Sequence, residues 1–391
     1  MNSVINVNKD DLTKMFCTLA EIPSPSLKED KVIDWILNYC KENNLQYETD
    51  NYRNIYIKVA PTDTSKKPIL LSAHMDVVGD DSPVVTYIDS KEGVIRAKGR
   101  TLGADDKAGI TNALYFATKL NKVVDMAHGG LEIVFTRDEE NGMTGIKNVD
   151  FSKLQSKDVL VLDADYIGQC LSAGASYVGV KLSVVAPKGG HSGNDVGDQT
   201  RENATKLIAD LVSEMPHGVF KADKETGDVI CSCNLGGIQS GDLNVTNVIN
   251  THAQATYSIR SSSEEAEQDL INSMKFHVDA FNVEYKDIAT AEISFTVKMP
   301  KFVNNDGSRI IEAFKVAAKN SDIEPKIGSF HAGAETHIYA QKQNANGENF
   351  CPLLLGLATV CNMHSAGEYL DYNSMVSGQK LLQNLFFELN K

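Results

Sequence analysis

No segment of this chain runs for eighteen uninterrupted apolar residues, and Met1 to Asp11 carries no basic patch followed by an apolar run. Neither a membrane-spanning helix nor a secretory leader is therefore expected, which leaves the cytoplasm as the expected compartment. Basic charge is also short, with 38 Lys and Arg against 52 Asp and Glu for a net charge of -14. With no basic patch anywhere, nucleic acid and anionic membrane are not expected as partners. Cysteine is sparse and odd in number, seven residues scattered along the chain, which reads as reduced thiols rather than a disulfide framework. Cys231 and Cys233 have no second pair at zinc-finger spacing and read as part of a strand. Internal repeats, low-complexity tracts and heptads are lacking as well.

What is present is an ordinary globular composition, 42% hydrophobic and 23% charged, over 391 residues. That length exceeds what one hydrophobic core usually holds, so two domains are expected. Leu12, Met15, Phe16 and Leu19 mark one face of a helix that the Pro23 and Pro25 segment ends. Ser26 with Glu29 reads as a capping box ahead of Val32, Ile33, Ile36, Leu37 and Cys40. Short apolar runs at 54–59 and 68–73 read as strands, the second entering His74-Met75-Asp76. A further strand at 93–97 leads to the glycine-punctuated loop Gly99 to Gly109, which opens a helix through Ile110, Ala113, Leu114 and Ala117. Strands at 131–135 and 159–162 end in Asp138-Glu139-Glu140 and at Asp163.

From 175 to 298 the rhythm changes to strand, helix, strand, strand, helix, strand, the pattern of an inserted two-layer domain. The chain then returns to helix (308–319), strand (326–330), helix (335–341), strand (352–357) and a closing helix (372–389). The expected division is therefore 1–174 with 299–391, and 175–298.

The adjacent acids Glu139 and Glu140 repel unless cations neutralise them or one is protonated. A metal site, an acid/base dyad and a pair of exposed acids all remain open from that stretch alone. On a continuing strand the two would point to opposite faces, so one site can use both only if they lie on a turn. Gly142 and Gly145 supply that turn. Strand ends and strand-to-helix loops also deliver His74, Asp105, Asp163 and His364, and two imidazoles with three carboxylates suit a pair of borderline divalent metals such as zinc. Two Zn²⁺ ions balance three carboxylates and one bridging hydroxide, leaving Glu139 free to take a proton. Asp106 reads as a helix N-cap beside Asp105, and Asp165 is a rival to Asp163.

His-Met-Asp at 74–76, Gly-Ala-Asp-Asp-Lys at 103–107, Asp-Glu-Glu at 138–140, Leu-Asp-Ala at 162–164, Gly-Gly-His-Ser-Gly at 189–193 and His364 four residues before Glu368 follow one another in order. In this the chain resembles the co-catalytic zinc exopeptidases and amidohydrolases, over nearly its whole length. Gly103 to Gly109 and the overall length are similar to the peptidase T branch, whereas Phe330 to Glu335 is similar to the aminoacyl-histidine dipeptidase branch. The resemblance implies an α/β catalytic domain with a mixed sheet flanked by helices, and an inserted α+β domain serving as lid and dimerisation surface. It implies two zinc ions, with Co²⁺ or Mn²⁺ as substitutes. His74, Asp105 and Asp163 would hold one metal and His364, Asp105 and Glu140 the other, with Asp105 bridging. Asp76 would orient His74 and Glu139 would act as general base on a bridging hydroxide.

In the insertion, His191, Asn247 and Arg260 are similar to the family's substrate-facing residues, and His191 favours a homodimer. Beside these stand plainer readings, a turn histidine for His191 and surface pairing with Glu264 or Glu265 for Arg260. His331 and Glu335 are left without a role. The function implied is removal of the N-terminal residue from short peptides, tripeptides in the peptidase T pattern. A dipeptidase or amidohydrolase acting on acylated amino acids is the alternative. A catalytically dead metal-binding scaffold is a third reading, against which the retained Glu139 argues.

Overall fold

The computed structural model describes residues 6–225, 227–304 and 308–391. Met1 to Ile5, on which the reading of the amino terminus partly rests, lie outside the described residues. Two compact units emerge: 1–172 with 303–328 and 334–391, and 173–302 with 329–333. The second unit keeps more than the expected 175–298. Its last long strand runs on to Met299, and Ala175 N donates to the carbonyl of Phe330 at 3.0 Å.

The larger unit is built on a mixed sheet. Gln46–Thr49 and Ile55–Val59 form one antiparallel end, and Ile55–Val59 runs antiparallel to Leu131–Thr136. Leu131–Thr136, Ile69–His74, Asp158–Val161 and Cys351–Leu355 then lie side by side in parallel. Ile69–His74 and Leu131–Thr136 are buried at every position, as strands covered on both faces must be. Covering them are helices whose apolar faces match the sequence periodicity. Leu12, Met15, Phe16 and Leu19 of Lys9–Ala20 are buried, as are Leu381, Leu382, Leu385 and Phe386 of Tyr372–Leu389. Ala104–Leu120 is buried almost all round. The C-terminal ends of the parallel strands open on one edge of the sheet, where an α/β fold places its ligands.

Three local expectations are corrected. The helix Asp30–Glu42 begins without a side-chain cap, so Ser26 and Glu29 form no capping box. Ser26 Oγ donates instead to Asp76 Oδ2 at 2.7 Å. The short helix expected at 335–341 shortens to Thr336–Tyr339. A small antiparallel sheet of Thr86–Asp89, Val94–Ala97, Tyr369–Asp371 and Thr359–Cys361 was foreseen only in its second strand.

The smaller unit has five antiparallel strands in the order Gly218–Ala222, Val229–Ser240, His252–Ser261, Ser176–Val185 and Thr290–Met299. Helices Ala204–Glu214 and Glu264–Glu284 pack on this sheet, closing a core that includes Leu182, Ile208, Ile259, Leu270 and Met274. Cys231 and Cys233 are buried in its second strand. Among the described residues no helix is long and apolar enough to cross a membrane.

Candidate metal centre

His74 is the last residue of its strand and only 2% exposed. Its Nδ1 lies 3.0 Å from the Asp76 carbonyl, a contact in which the nitrogen must carry the proton. The Nε2 of the neutral ring is then a bare acceptor, yet it faces Asp105 Oδ1 at 3.0 Å and Asp163 Oδ1 at 3.7 Å. The second oxygen of Asp105 lies 3.1 Å from His364 Nε2, and that nitrogen is 2.9 Å from Glu140 Oε1. Asp105 therefore stands between two imidazoles, each with its own further carboxylate. Asp163, rather than Asp165, reaches His74, while the Asp165 carbonyl accepts from Val360 N at 2.8 Å.

Local backbone produces this convergence. Gly103 adopts φ 73°, and a Cβ there would come within 2.8 Å of Val77 Cγ1, so the chain turns into its helix at a residue that must lack a side chain. Asp105 and Asp106 keep non-helical dihedrals at the helix start, and their shared peptide bond is cis. Asp106 Oδ1 accepts from Gly109 N at 3.0 Å, the capping role expected of it. Glu139 and Glu140 do lie past the strand end, in a turn that Asp138 enters at φ 54°. Asp76 holds that turn: Oδ1 accepts from Glu139 N at 2.9 Å and Oδ2 from Glu140 N at 3.1 Å. It thus holds the glutamate pair through its carboxylate and meets His74 through its main chain, with Oδ1 also 3.4 Å from His74 Nδ1.

The electrostatics describe a site crowded with acceptors. Burial pushes the Asp163 carboxyl up to about 8, with the Asp105 charge adding to it. Burial likewise raises Glu140, and raises Glu139 well above the usual carboxylate range, with nearby Asp163 and Glu335 adding to the latter. Burial alone would raise Asp105 too, but hydrogen bonds from His364 and His74 hold it far below its ordinary value. The Asp105 hydrogen bond lifts His364 to about 9. Burial opposes a charge on His74, but Asp105, Asp163 and Asp76 together keep its pKa well above the ordinary imidazole value. Protons are thus drawn to positions where acceptor faces acceptor. Glu140 Oε1 is buried and makes no aligned hydrogen bond. Donor atoms of His74, Asp105 and Glu140 fall within 4.8 Å of one another, as do those of His74, Asp106 and Asp163. A convergent set of imidazole and carboxylate acceptors, in which His364 Nε2 lies 2.9 Å from Glu140 Oε1 without hydrogen-bond alignment, fits divalent metal.

A family model described as peptidase family M20/M25/M40 matches residues 70–388. The chain belongs to this family. It is accordingly a hydrolase of the metallopeptidase class. Similar proteins include the cytosol non-specific dipeptidase of Escherichia coli, 28% identical over 238 residues, 53% of this chain. The match spans 48% of that dipeptidase, about half its length. A peptidase T of Listeria monocytogenes is 24% identical over 376 residues, 93% of this chain and 83% of that protein. Among solved structures, aminopeptidase PepT from Bacillus cereus matches with a TM-score of 0.83 at 22% identity, covering 98% of this chain and 100% of that one.

Around the M20 centre stand residues that sequence reasoning missed. Glu29, fully buried, accepts Arg137 Nε and Nη2 at 2.8 and 2.6 Å and Asp138 N at 3.0 Å, bracing the glutamate turn from behind. Glu335, also buried, accepts from Ser72 Oγ at 3.0 Å and from Thr136 Oγ1, on the two strands that deliver His74 and the glutamates. Glu368 accepts from the loop that carries Asp105. Each pairing joins residues far apart in the chain and leaves no periodicity to read, although Glu29, Glu335 and Glu368 each stood within a stretch singled out for another reason.

In the smaller unit, His191 pairs with Val248 on a two-residue ribbon, and Ser192 N donates to the Asn247 carbonyl at 3.0 Å. The structure thus brings His191 and Asn247 together, and places Arg260 on another strand. Arg260 stacks 4.2 Å over the Tyr177 ring, and its Nη1 is buried without a hydrogen-bond partner among the described residues. The surface pairs once open to it are taken by others: Lys301 holds Glu264 at 2.7 Å, and Lys221 lies 3.8 Å from Glu265. His331 also belongs here, with Nε2 2.8 Å from Ser232 Oγ, and Ser232 is the cross-strand neighbour of Arg260.

Proposed function

We propose that this peptidase removes the N-terminal residue from short peptides, tripeptides foremost, with a pair of divalent metals, zinc by donor type. The observation that carries this reading is Asp105, its two oxygens 3.0 and 3.1 Å from two different imidazole nitrogens. A carboxylate so placed is suited to bridging. His74, Asp105 and Asp163 would hold one metal, and His364, Asp105 and Glu140 the other. When bound, the pair lowers the pKa of a water and polarises the scissile carbonyl.

Everything else is the work of side chains. Among the described residues Glu139's carboxylate accepts no hydrogen bond, while its backbone N is anchored on Asp76, so the group is held in place and left free to exchange a proton. Glu139 takes the proton of the attacking water and passes it to the leaving nitrogen. His191 would donate to the developing oxyanion. Asn247 and Arg260 would receive the peptide, the unpaired Arg260 Nη1 supporting a role toward a carboxylate.

A dipeptidase is the second reading, favoured by the identity to the E. coli dipeptidase and by the similarity of Phe330 to Glu335 to that branch. Hydrolysis of a panel of di-, tri- and tetrapeptides and N-acyl amino acids, with added Zn²⁺, Co²⁺ or Mn²⁺, decides between them. The proposal expects the fastest turnover on tripeptides with release of the N-terminal residue. Fastest turnover on dipeptides gives the second reading, acyl substrates alone give a deacylase, and no turnover on any member gives a scaffold.

A further inference from the structure

We propose that Glu368 is a positioning residue that locks the loop of Asp105 to the loop of His364, and thereby sets the affinity of the centre for the metal held by His364. Glu368 is 1% exposed and spends both carboxylate oxygens on one stretch of backbone. Oε2 accepts from Leu102 N at 2.8 Å, from Gly103 N at 2.9 Å and from the Thr101 hydroxyl. Oε1 accepts from Ala104 N at 2.8 Å and, more weakly, from Asp105 N at 3.4 Å. Of these, the N–H groups of Gly103, Ala104 and Asp105 lie at the start of the helix Ala104–Leu120, where Gly103 at the N-cap has no side chain to satisfy them, while Leu102 N and the Thr101 hydroxyl belong to the loop before it. A buried negative charge at that point also faces the positive end of the helix dipole.

An ordinary cap comes from a neighbour in sequence, whereas this one comes from 264 residues away. His364 lies on the same short segment, in a left-handed conformation at φ 60°, and the Glu368 N donates back to the Ser365 carbonyl at 3.2 Å. Only one compact turn therefore separates the clamp from the ligand. Displacing either loop moves Asp105 and His364 relative to each other. His74 and Asp163 are fixed independently, by the strand Ile69–His74 and by the end of Asp158–Val161. Asp105 would be shared by both metals, so losing the clamp should fall more heavily on the metal that also needs His364 than on the one that keeps His74 and Asp163.

The inference rests on the two-metal reading above, and the test separates the two. Chelator-stripped wild type, Glu368→Gln and Glu368→Asp are titrated with Zn²⁺ by calorimetry, with thermal melts as the control for folding. Gln turns one oxygen into an amide that faces backbone N–H groups, and Asp keeps the charge but falls one methylene short. We expect two binding steps in wild type. In Glu368→Gln one step should lose roughly 10- to 100-fold in affinity, as loss of a residue supporting metal ligands does, and the other distinctly less. Glu368→Asp should fall between, and is read on the same scale if the Gln variant does not fold. A merely structural cap would lower the melting temperature and leave both steps alone; that result, or an equal loss at both steps, overturns the inference. Wild type with no second step would overturn the two-metal reading and this inference with it.

Discussion

Glu139 and Glu140 are neighbours in sequence with opposite assignments, so substitution separates them. Glu139→Gln preserves shape but cannot accept a proton; it should keep both metals and lower kcat by roughly 10²- to 10⁴-fold. Glu140→Gln should instead weaken one metal, measured by metal content after dialysis. Reversed phenotypes would mean that the pair has been divided the wrong way. The metal-free protein carries a second residue-level signature. His364 is lifted from 6.5 to about 9, so its contribution to stability is complete below pH 6.5 and fades as pH rises towards 9. Asp163, raised from 3.8 to about 8, stays neutral in the fold while the unfolded chain ionises, so it too costs stability as pH climbs to 8. The melting temperature of chelated protein should therefore fall from about pH 4, where Asp163 begins to cost stability, to about pH 9, where His364 has lost its contribution, and zinc should remove that fall, because ligation requires the deprotonated groups. A flat or rising profile without metal would contradict the geometry around Asp105.

At the scale of elements, the turn after Leu131–Thr136 carries both proposed glutamates and has its own braces. Arg137→Ala would strand the fully buried Glu29 without its cation, a loss of about 3–5 kcal/mol for a broken buried pair. Urea unfolding of the metal-free protein measures it, and a change below about 1 kcal/mol would mean that Glu29 is held by its backbone donors alone. Gly145→Ala should be damaging at the same place, since its Cβ would sit 1.9 Å from the Arg137 carbonyl oxygen. The parallel strands were legible in the sequence, because continuous apolar runs such as Ile69 to Ala73 announce burial on both faces, and the proposed ligands follow at their ends. Less could be read where the signal was short or distant. Thr86–Asp89 and Tyr369–Asp371 are brief, partly exposed strands, and Gly218–Ala222 is exposed at every residue. Ser26 and Glu29 fit a capping pattern but found stronger partners in Asp76 and Arg137, which no local window displays. Glu335 was left without a role for the same reason: its hydroxyl partners, Ser72 and Thr136, come from strands far away in sequence.

For the molecule as a whole, the proposed catalytic set lies in the larger unit and the proposed recognition residues in the smaller. Arg260→Ala should raise KM for free peptides far more than for C-terminally amidated ones, since only a free carboxylate offers the guanidinium a charge. Equal losses on both substrates would make Arg260 structural, its stacking on Tyr177 the reason for its position. The central claim, that a pair of metals held around Asp105 performs aminopeptidase chemistry, is tested most directly by activity against metal equivalents. Stripped protein is titrated with Zn²⁺ while release of the N-terminal residue from a tripeptide is followed. We predict that activity climbs to a plateau at two equivalents per chain; a plateau at one equivalent, or no release at any loading, would contradict the account.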